Sequence, residues 1–288
     1  MVLGILQAYH ILRPRTGQLV VLGIVLFAYL LLRVPAFTRM YINEFAREIN
    51  ISLVPVQCLR LERISSHHSV VFYPKGEEEA ARLVLRTAER FFPIVANEFG
   101  LKLKRKVPIV LYQEQRELNR IFGWPADEGT MGVYWGGVVR ILSPHSWLNV
   151  LDKGTLEENF SKNGPIVHEA THLVIDYETR GNYPRWLTEG LAQEMERRLT
   201  GFKFDPPKEH AGFYPFSALS DFDSLPDQRL AYYQSYLMVR YLLEQGGDRK
   251  VNRLLAELGR GCSFSSALQR TMGYNISEFE RKFFQTAY

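Results

Sequence analysis

Apolar residues recur with a helical period over much of this 288-residue chain and with strand-like spacing in its first half. Intervals of three and four residues predict helices, whereas short apolar runs bounded by proline, glycine or charge predict strands. The predicted helices cover residues 77–99, 114–122, 165–178, 185–200, 230–245, 251–258, 263–269 and 276–284. The predicted strands cover residues 67–74, residues 106–112 and both arms of a hairpin over residues 131–144 that turns at Gly136 and Gly137. This order predicts an α+β fold, with a small mixed β-sheet and a mainly helical C-terminal half.

The strongest apolar run lies near the N-terminus, where residues 17–32 contain no charged residue. Its length is near the lower limit for a bilayer span, and together with the residues that follow it predicts a single transmembrane helix over residues 17–36. A cleaved signal peptide is the competing interpretation, which the distance of the run from Met1 and the lack of an Ala-x-Ala site disfavour. A buried core helix is less favoured, because the run is apolar on all faces.

The chain is therefore predicted to consist of four segments, which are a tail (1–16), a transmembrane anchor (17–36), a juxtamembrane stalk or linker (37–64) and a folded domain (65–288). Residues 37–50 of the stalk have helical spacing at Phe37, Tyr41, Phe45 and Ile49, which predicts a helix that is either a stalk or lies on the membrane surface. Arginines on the two sides of the anchor nearly balance, and long domains translocate largely regardless of charge. We expect the folded domain on the extracytoplasmic side.

The clearest chemical motif is His168-Glu169-Ala170-Thr171-His172. Histidines four residues apart project from one face of a helix, so both imidazoles can reach one cation, and Glu169 lies beside them as a candidate base. The same string also arises by chance on ordinary amphipathic helices. A catalytic zinc site usually needs a third protein ligand and an open fourth position, so the motif alone is not decisive.

A third ligand is available downstream. Residues 179–184 have the composition of a turn, and His172 precedes that turn by about as many residues as Glu189 follows it. If the two helices form a hairpin, an equal rise along each helix axis brings His172 and Glu189 level with each other. Gly190 would allow the two helix backbones to approach closely. Glu194 is the alternative ligand, more than a turn further on. The spacing therefore favours a metal site made of His168, His172 and Glu189.

These residues, followed by Trp186-Leu187-Thr188-Glu189-Gly190-Leu191-Ala192, resemble the gluzincin metallopeptidases, the clan of thermolysin and the M1 aminopeptidases. The sequence is most similar to the short bacterial proteins called peptidase MA-like. The resemblance implies a gluzincin-like domain that binds one Zn²⁺ through His168, His172 and Glu189, with Glu169 activating water. The gap between His172 and Glu189 is slightly shorter than in the M1 enzymes, and their Gly-Ala-Met-Glu-Asn signature is absent, so aminopeptidase specificity is not implied.

The same resemblance assigns further roles. It implies that the strand before the zinc helix is an edge strand that pairs with the substrate backbone, and places it at Val138, Val139, Arg140, Ile141 and Leu142. It also implies a tyrosine that stabilises the oxyanion, assigned to Tyr232, with Tyr233 and Tyr236 as alternatives. From spacing alone, Asp176 lies one turn after His172 and is either a candidate to orient it or a surface residue on the last turn of the helix.

The predicted function is that of a membrane-anchored zinc metallopeptidase acting on peptides or proteins. The alternatives are a catalytically inactive zinc-binding scaffold of the same fold and a zinc amidase acting on a non-peptide or cell-wall amide. Lys and Arg are scattered at a net charge of +4, and the densest run, residues 102–106, reads as a solvated connector. We therefore expect a lipid bilayer and a peptide or protein substrate as partners, and no nucleic acid.

The cysteines and the other histidines considered do not change the predicted metal site. Cys58 and Cys262 are compatible either with one disulfide or with two thiols. Because neighbouring residues of a strand point to opposite faces, His67 and His68 are expected at the surface rather than on one metal. His210, in the loop over residues 201–227, is also expected at the surface.

Overall fold

The computed structural model describes residues 36–126, 128–148, 152–208 and 212–287. The described residues belong to two units: the helical segment 36–39 lies in the first, and the described residues from Met40 onward form the second. The helices are α1 (Ala36–Gln57), α2 (Glu78–Glu98), α3 (Gln115–Phe122), α4 (Lys153–Asn163), α5 (Ile166–Thr179), α6 (Arg185–Thr200), α7 (Gln228–Gly259), α8 (Phe264–Met272) and α9 (Ile276–Ala287). The strands are β1 (Glu62–Ser65), β2 (Ser69–Tyr73), β3 (Val107–Tyr112), β4 (Gly132–Trp135) and β5 (Val138–Leu142).

Within these ranges no helix is both long and apolar enough to cross a bilayer. Residues 17–35 of the predicted anchor lie outside the described residues, so the anchor and the four segment boundaries stay predictions. The loop residue His210 also lies outside the described residues.

The five strands form one mixed sheet in the order β1-β2-β3-β5-β4. β2, β3 and β5 run parallel, and the two outer strands pair antiparallel to their neighbours. The predicted α+β fold with a small mixed sheet and a mainly helical C-terminal half is confirmed. β1 was not predicted, because its sequence Glu-Arg-Ile-Ser is largely polar and exposed and so carries no alternating pattern.

β4 and β5 are the two arms of the predicted hairpin. Gly136 and Gly137 form its two-residue turn with φ values of 54° and 81°, a conformation that glycine adopts without steric cost. The prediction that Val138–Leu142 is the edge strand is wrong. These residues form β5, which pairs with β3 on one side and β4 on the other and is buried throughout. The edge strand next to the predicted zinc helix is β4.

Each face of the sheet is covered by a different layer. Val139 and Ile141 belong to the main hydrophobic core, together with residues of α2, α5, α6 and α7. On the other face Val138 packs in a smaller cluster with Val54 and Cys58 of the α1 segment. Cys58 and Cys262 are both free thiols.

Helix boundaries follow the sequence closely in the C-terminal half. α5 and α6 form the predicted hairpin, and the break expected between the helices over residues 230–245 and 251–258 appears inside α7 as a kink at Gly247, where φ is 66°. α1 differs from expectation, since it continues through Pro55 to Gln57. Met40 and Arg47 are buried on the side of α1 that faces the domain, so this helix packs against the fold along much of its length.

Candidate functional site

The two motif histidines lie on the partly exposed face of α5. Their rings meet edge to face with centroids 4.7 Å apart. The opposite face of the helix, which includes Val167, Ala170 and Val174, is fully buried in the main core. Burial of that face fixes the rotation of α5 and so turns both imidazoles toward the cleft.

The turn after α5 brings Glu189 to the same point. Arg180 ends the helix in the left-handed conformation with φ 58°, and its guanidinium makes two 2.7 Å hydrogen bonds to Glu44 of α1. Glu189 Oε2 lies 3.5 Å from His168 Nε2 and 3.4 Å from His172 Nε2. Two ligands of a tetrahedral zinc, each about 2.0–2.1 Å from the ion, lie about 3.3–3.4 Å apart. The three side chains could therefore hold one metal ion with little rearrangement.

The outer ring nitrogens of the histidines are also hydrogen-bonded. His168 Nδ1 lies 2.9 Å from Glu196 Oε2, and His172 Nδ1 lies 2.7 Å from Thr188 Oγ1. With Nδ1 donating to these oxygens, both Nε2 lone pairs face Glu189, as metal binding requires. Neither partner was predicted. Glu196 could have been found, because it lies two helical turns after Glu189 and so shares its face of α6.

Asp176 has a different role from the predicted one. Its Oδ2 accepts hydrogen bonds from Arg47 Nη1 at 2.8 Å and from the Tyr134 hydroxyl at 2.5 Å. Thr188 therefore orients His172, and the prediction for Asp176 is corrected. Asp176 instead ties α5 to α1 and to the edge strand β4.

Glu169 is buried beneath the cleft and contacts β4 directly. Its Oε2 accepts a hydrogen bond from the backbone N–H of Tyr134 at 2.5 Å. This approach depends on Gly132, where an added Cβ would lie 2.6 Å from Pro165 Cβ and 3.2 Å from Glu169 Cγ. Burial raises the pKa of Glu169 despite the neighbouring imidazoles. A carboxylate with a raised pKa is suited to take up and return a proton near neutral pH.

Of the three candidate tyrosines, Tyr232 lines the cleft beside the histidines. Burial, and next the charge of Glu189, raise its pKa, so its hydroxyl stays protonated and can donate a hydrogen bond. Tyr236 instead lies in the field of Glu194 and Arg240. The assignment to Tyr232 stays a prediction.

Gly190 acts elsewhere than predicted. An added Cβ there would lie 2.2 Å from Ser235 O and 2.6 Å from Val239 Cγ2, both on α7. The missing side chain therefore allows α6 to approach α7, the helix that carries Tyr232, rather than α5. Two neighbouring residues, Glu189 and Gly190, thus bring three helices together around the site.

The alternative ligand Glu194 faces away from the histidines. It is buried and forms ion pairs with Arg197 at 2.8 Å and Arg198 at 2.7 Å, and a longer one with Arg240 at 3.8 Å. Burial alone would raise the pKa of Glu194, but Arg197 and Arg198 lower it. Glu194 therefore belongs to a structural cluster on the other side of α6.

The histidines and Glu189 line an open cleft of about 720 Å³. Residues of β4 form one wall, and the ends of α6 and α7 contribute Arg185, Gln228 and Tyr232. Trp124 and Trp135 also line it, with 40% and 58% of their surface exposed. The predicted substrate residues Val138–Leu142 do not line this cleft; the edge strand β4 does.

Charges within the site are strongly coupled. Burial alone would raise the pKa of Glu189, but the two imidazoles lower it far below its ordinary value. Burial alone would lower the pKa of His168, but the carboxylates of Glu196 and Glu189 raise it well above the ordinary value. Because the pKa of His168 is raised, a cation that binds here competes with a proton for this imidazole.

A family model described as the Peptidase MA superfamily matches residues 87–287. No curated protein matches the chain. The matched region contains α5, α6 and α7, and hence all the residues that meet at the cleft, whereas α1 and β1 precede it.

Proposed function

Since the chain belongs to the Peptidase MA superfamily, we propose that it is a membrane-anchored zinc metallopeptidase that hydrolyses peptide bonds in extended segments of peptides or proteins. The observation that carries the proposal is that Glu189 Oε2 lies at tetrahedral ligand spacing from both His168 Nε2 and His172 Nε2. Two imidazoles and one carboxylate form a ligand set that suits zinc and leaves a position open for water.

A zinc ion held by these three side chains would supply a Lewis acid that acidifies a water molecule and polarises the carbonyl of the scissile bond. Glu169 takes the proton of the attacking water and returns it to the leaving amine. Tyr232 donates its hydroxyl hydrogen to the oxygen on which negative charge develops. Glu196 and Thr188 keep the histidine rings in the required tautomer.

The edge strand β4 is the proposed binding surface for the substrate backbone. From the register of the hairpin, Gly132 and Tyr134 are the β4 residues whose backbone groups point away from β5. The hydrogen bond from Tyr134 N–H to Glu169 agrees with this direction. A substrate strand added here would place its own carbonyl groups next to the general base.

Anchoring and location complete the proposal. The uncharged apolar residues 17–32 support a transmembrane anchor, and the long folded part supports an extracytoplasmic position for the cleft. The lipid bilayer is thus the second proposed partner.

Zinc dependence is tested with the full chain in detergent. We expect about one zinc per chain, cleavage of an unfolded protein substrate as monitored by mass spectrometry, loss of cleavage with 1,10-phenanthroline and its return with added Zn²⁺. Magnesium is the matched control and should not restore cleavage, since it prefers oxygen ligands. Cleavage that survives complete metal removal would contradict the proposal. Full zinc occupancy without cleavage of peptides would support the scaffold or amidase alternatives.

Replacing Glu196 with Gln is expected to weaken zinc binding about 10–100-fold, since His168 loses the carboxylate that orients it. It should also change the pH dependence. A raised His168 pKa means that protons compete with zinc below that pKa, so zinc affinity increases as pH rises through it. The variant should shift this increase to lower pH. Competition with a fluorescent chelator across pH measures both effects. Glu158→Gln, at an exposed position of α4, is the control.

A further inference from the structure

Helix α1 presents apolar residues on two sides. Its inner side, which includes Met40, Val54 and Cys58 just past its end, is buried against the domain. On a helical wheel at about 100° per residue these positions fall within an arc of about 40°. Arg47 lies in the same arc and bonds Asp176, while Asn50 Nδ2 donates to Gly136 O at 2.8 Å. The orientation of α1 relative to the zinc-site helix and the edge strand is therefore fixed.

The other side of α1 has no cover among the described residues. Its exposed apolar residues, hereafter the outer stripe, have 42–67% of their surface exposed and are Ile42, Phe45, Ile49, Leu53 and Val56. On the same wheel they occupy an arc of about 80° that contains no charged residue. Apolar stripes of this kind mark a surface that contacts a partner or a membrane.

We infer that the outer stripe lies in the headgroup region of the bilayer that holds the N-terminal anchor. This inference rests on the anchoring part of the proposed function. The apolar run ends at Leu32, four residues before Ala36, and four residues span at most about 14 Å. An anchored chain therefore begins α1 at the membrane surface. An amphipathic helix that lies in this region buries its apolar face by about 5–10 Å.

A second copy of the chain is the rival occupant. The stripe spans residues 42–56, which is about two heptads, whereas coiled coils that can be recognised from sequence need three to four. The stripe is therefore short for a coiled coil. The apolar run close to it in sequence also favours lipid over a partner helix. Because the inner side of α1 holds β4 and α5, contact with lipid would fix the orientation of the cleft relative to the membrane.

The test uses full-length Phe45→Trp and Val56→Trp in vesicles that contain phospholipid brominated near the headgroup end of its acyl chains. The fluorescence that each variant adds to the four native tryptophans should fall about twofold, since bromines near the headgroup end of the acyl chains lie at the depth of about 5–10 Å to which the apolar face is buried. Ile94→Trp, at an exposed α2 position (44%), is the control and should not be quenched.

Vesicle flotation of the parent chain tests the membrane anchor separately from the membrane contact of the outer stripe. Flotation together with quenching at positions 45 and 56 supports the stripe. Flotation without quenching overturns the stripe and leaves the anchor standing. A blue-shifted emission that bromine does not affect also overturns it, because a second copy then covers the stripe. Absence of flotation overturns the anchor and the stripe together, while the peptidase proposal is judged by cleavage alone.

Discussion

Replacing Glu169 with Gln is expected to lower kcat/KM for peptide hydrolysis by about 10²–10⁴-fold while zinc content stays at the parent level. The amide cannot take a proton from water, so the step assigned to this side chain is lost. Glu169 is not one of the three convergent ligands, so the metal site is left intact. Initial rates on a fluorogenic peptide together with metal analysis measure both quantities.

The substitution should leave the surrounding structure unchanged, because the Gln side chain has the same size as that of Glu. Its side-chain oxygen can still accept the hydrogen bond that Tyr134 N–H donates, so β4 should keep its position. Substrate binding should therefore survive. We expect an inhibitory peptide to bind the variant with nearly the parent affinity, which distinguishes a lost proton transfer from a displaced strand.

Glu178→Gln, on the same helix but outside the cleft lining, is the matched control and should retain activity. If Glu169→Gln hydrolysed peptides at the parent rate, the assigned base would be wrong. If it lost zinc together with activity, the motif glutamate would be part of the metal site rather than the group that handles the proton.

The helical hairpin was predictable because its information is local. Helix geometry alone places three side chains at one point. The two histidines are four residues apart, and the glutamate follows the turn by about as many residues as the second histidine precedes it. The partner of His168 follows the same rule, since Glu196 is two turns from Glu189. Residues fixed by helical periodicity on one hairpin can be derived without knowledge of the rest of the fold.

The edge strand was not predictable by the same means. Both arms of the hairpin are largely apolar and flank the same turn, and the sequence does not state which arm pairs with β3. One signal was available in the sequence, because Val138–Leu142 is a nearly continuous apolar run, as expected of a strand with neighbours on both sides, whereas β4 begins with glycine.

Asp176 and α1 illustrate the effect of long-range contacts. Asp176 lies on the face expected from its spacing, but Arg47, 129 residues earlier, forms an ion pair with it. The spacing that predicted a helix over residues 37–50 used Phe45 and Ile49, which are exposed in the structure. The inner residues Met40, Arg47 and Val54 recur every seventh position, but their contacts with the domain depend on the tertiary fold.

Replacing Glu189 with Gln is expected to remove zinc from the chain, with affinity reduced on the order of 10³-fold. One of three ligands is expected to contribute roughly a third of the binding free energy of about 10–16 kcal/mol known for structural zinc sites, which corresponds to this loss of affinity. Both imidazoles lose the anionic partner whose Oε2 lies 3.4–3.5 Å from their Nε2 atoms. Cleavage should be lost in parallel and should return in part only at high zinc concentrations. Equilibrium dialysis against buffered zinc measures the affinity.

Glu194→Gln is the informative partner variant, because Glu194 is the other glutamate of α6 that sequence spacing offers as a ligand. Its carboxylate bonds Arg197 and Arg198, so the change should cost about 2 kcal/mol of stability, or about 4–8 °C in Tm, without loss of zinc. The two variants should thus separate zinc affinity from thermal stability. If zinc were retained in Glu189→Gln and lost in Glu194→Gln, the second arm of the hairpin would supply a different ligand. A ligand at position 194 would require α6 to rotate and to break its arginine cluster, so that result would also contradict the fold around the cleft.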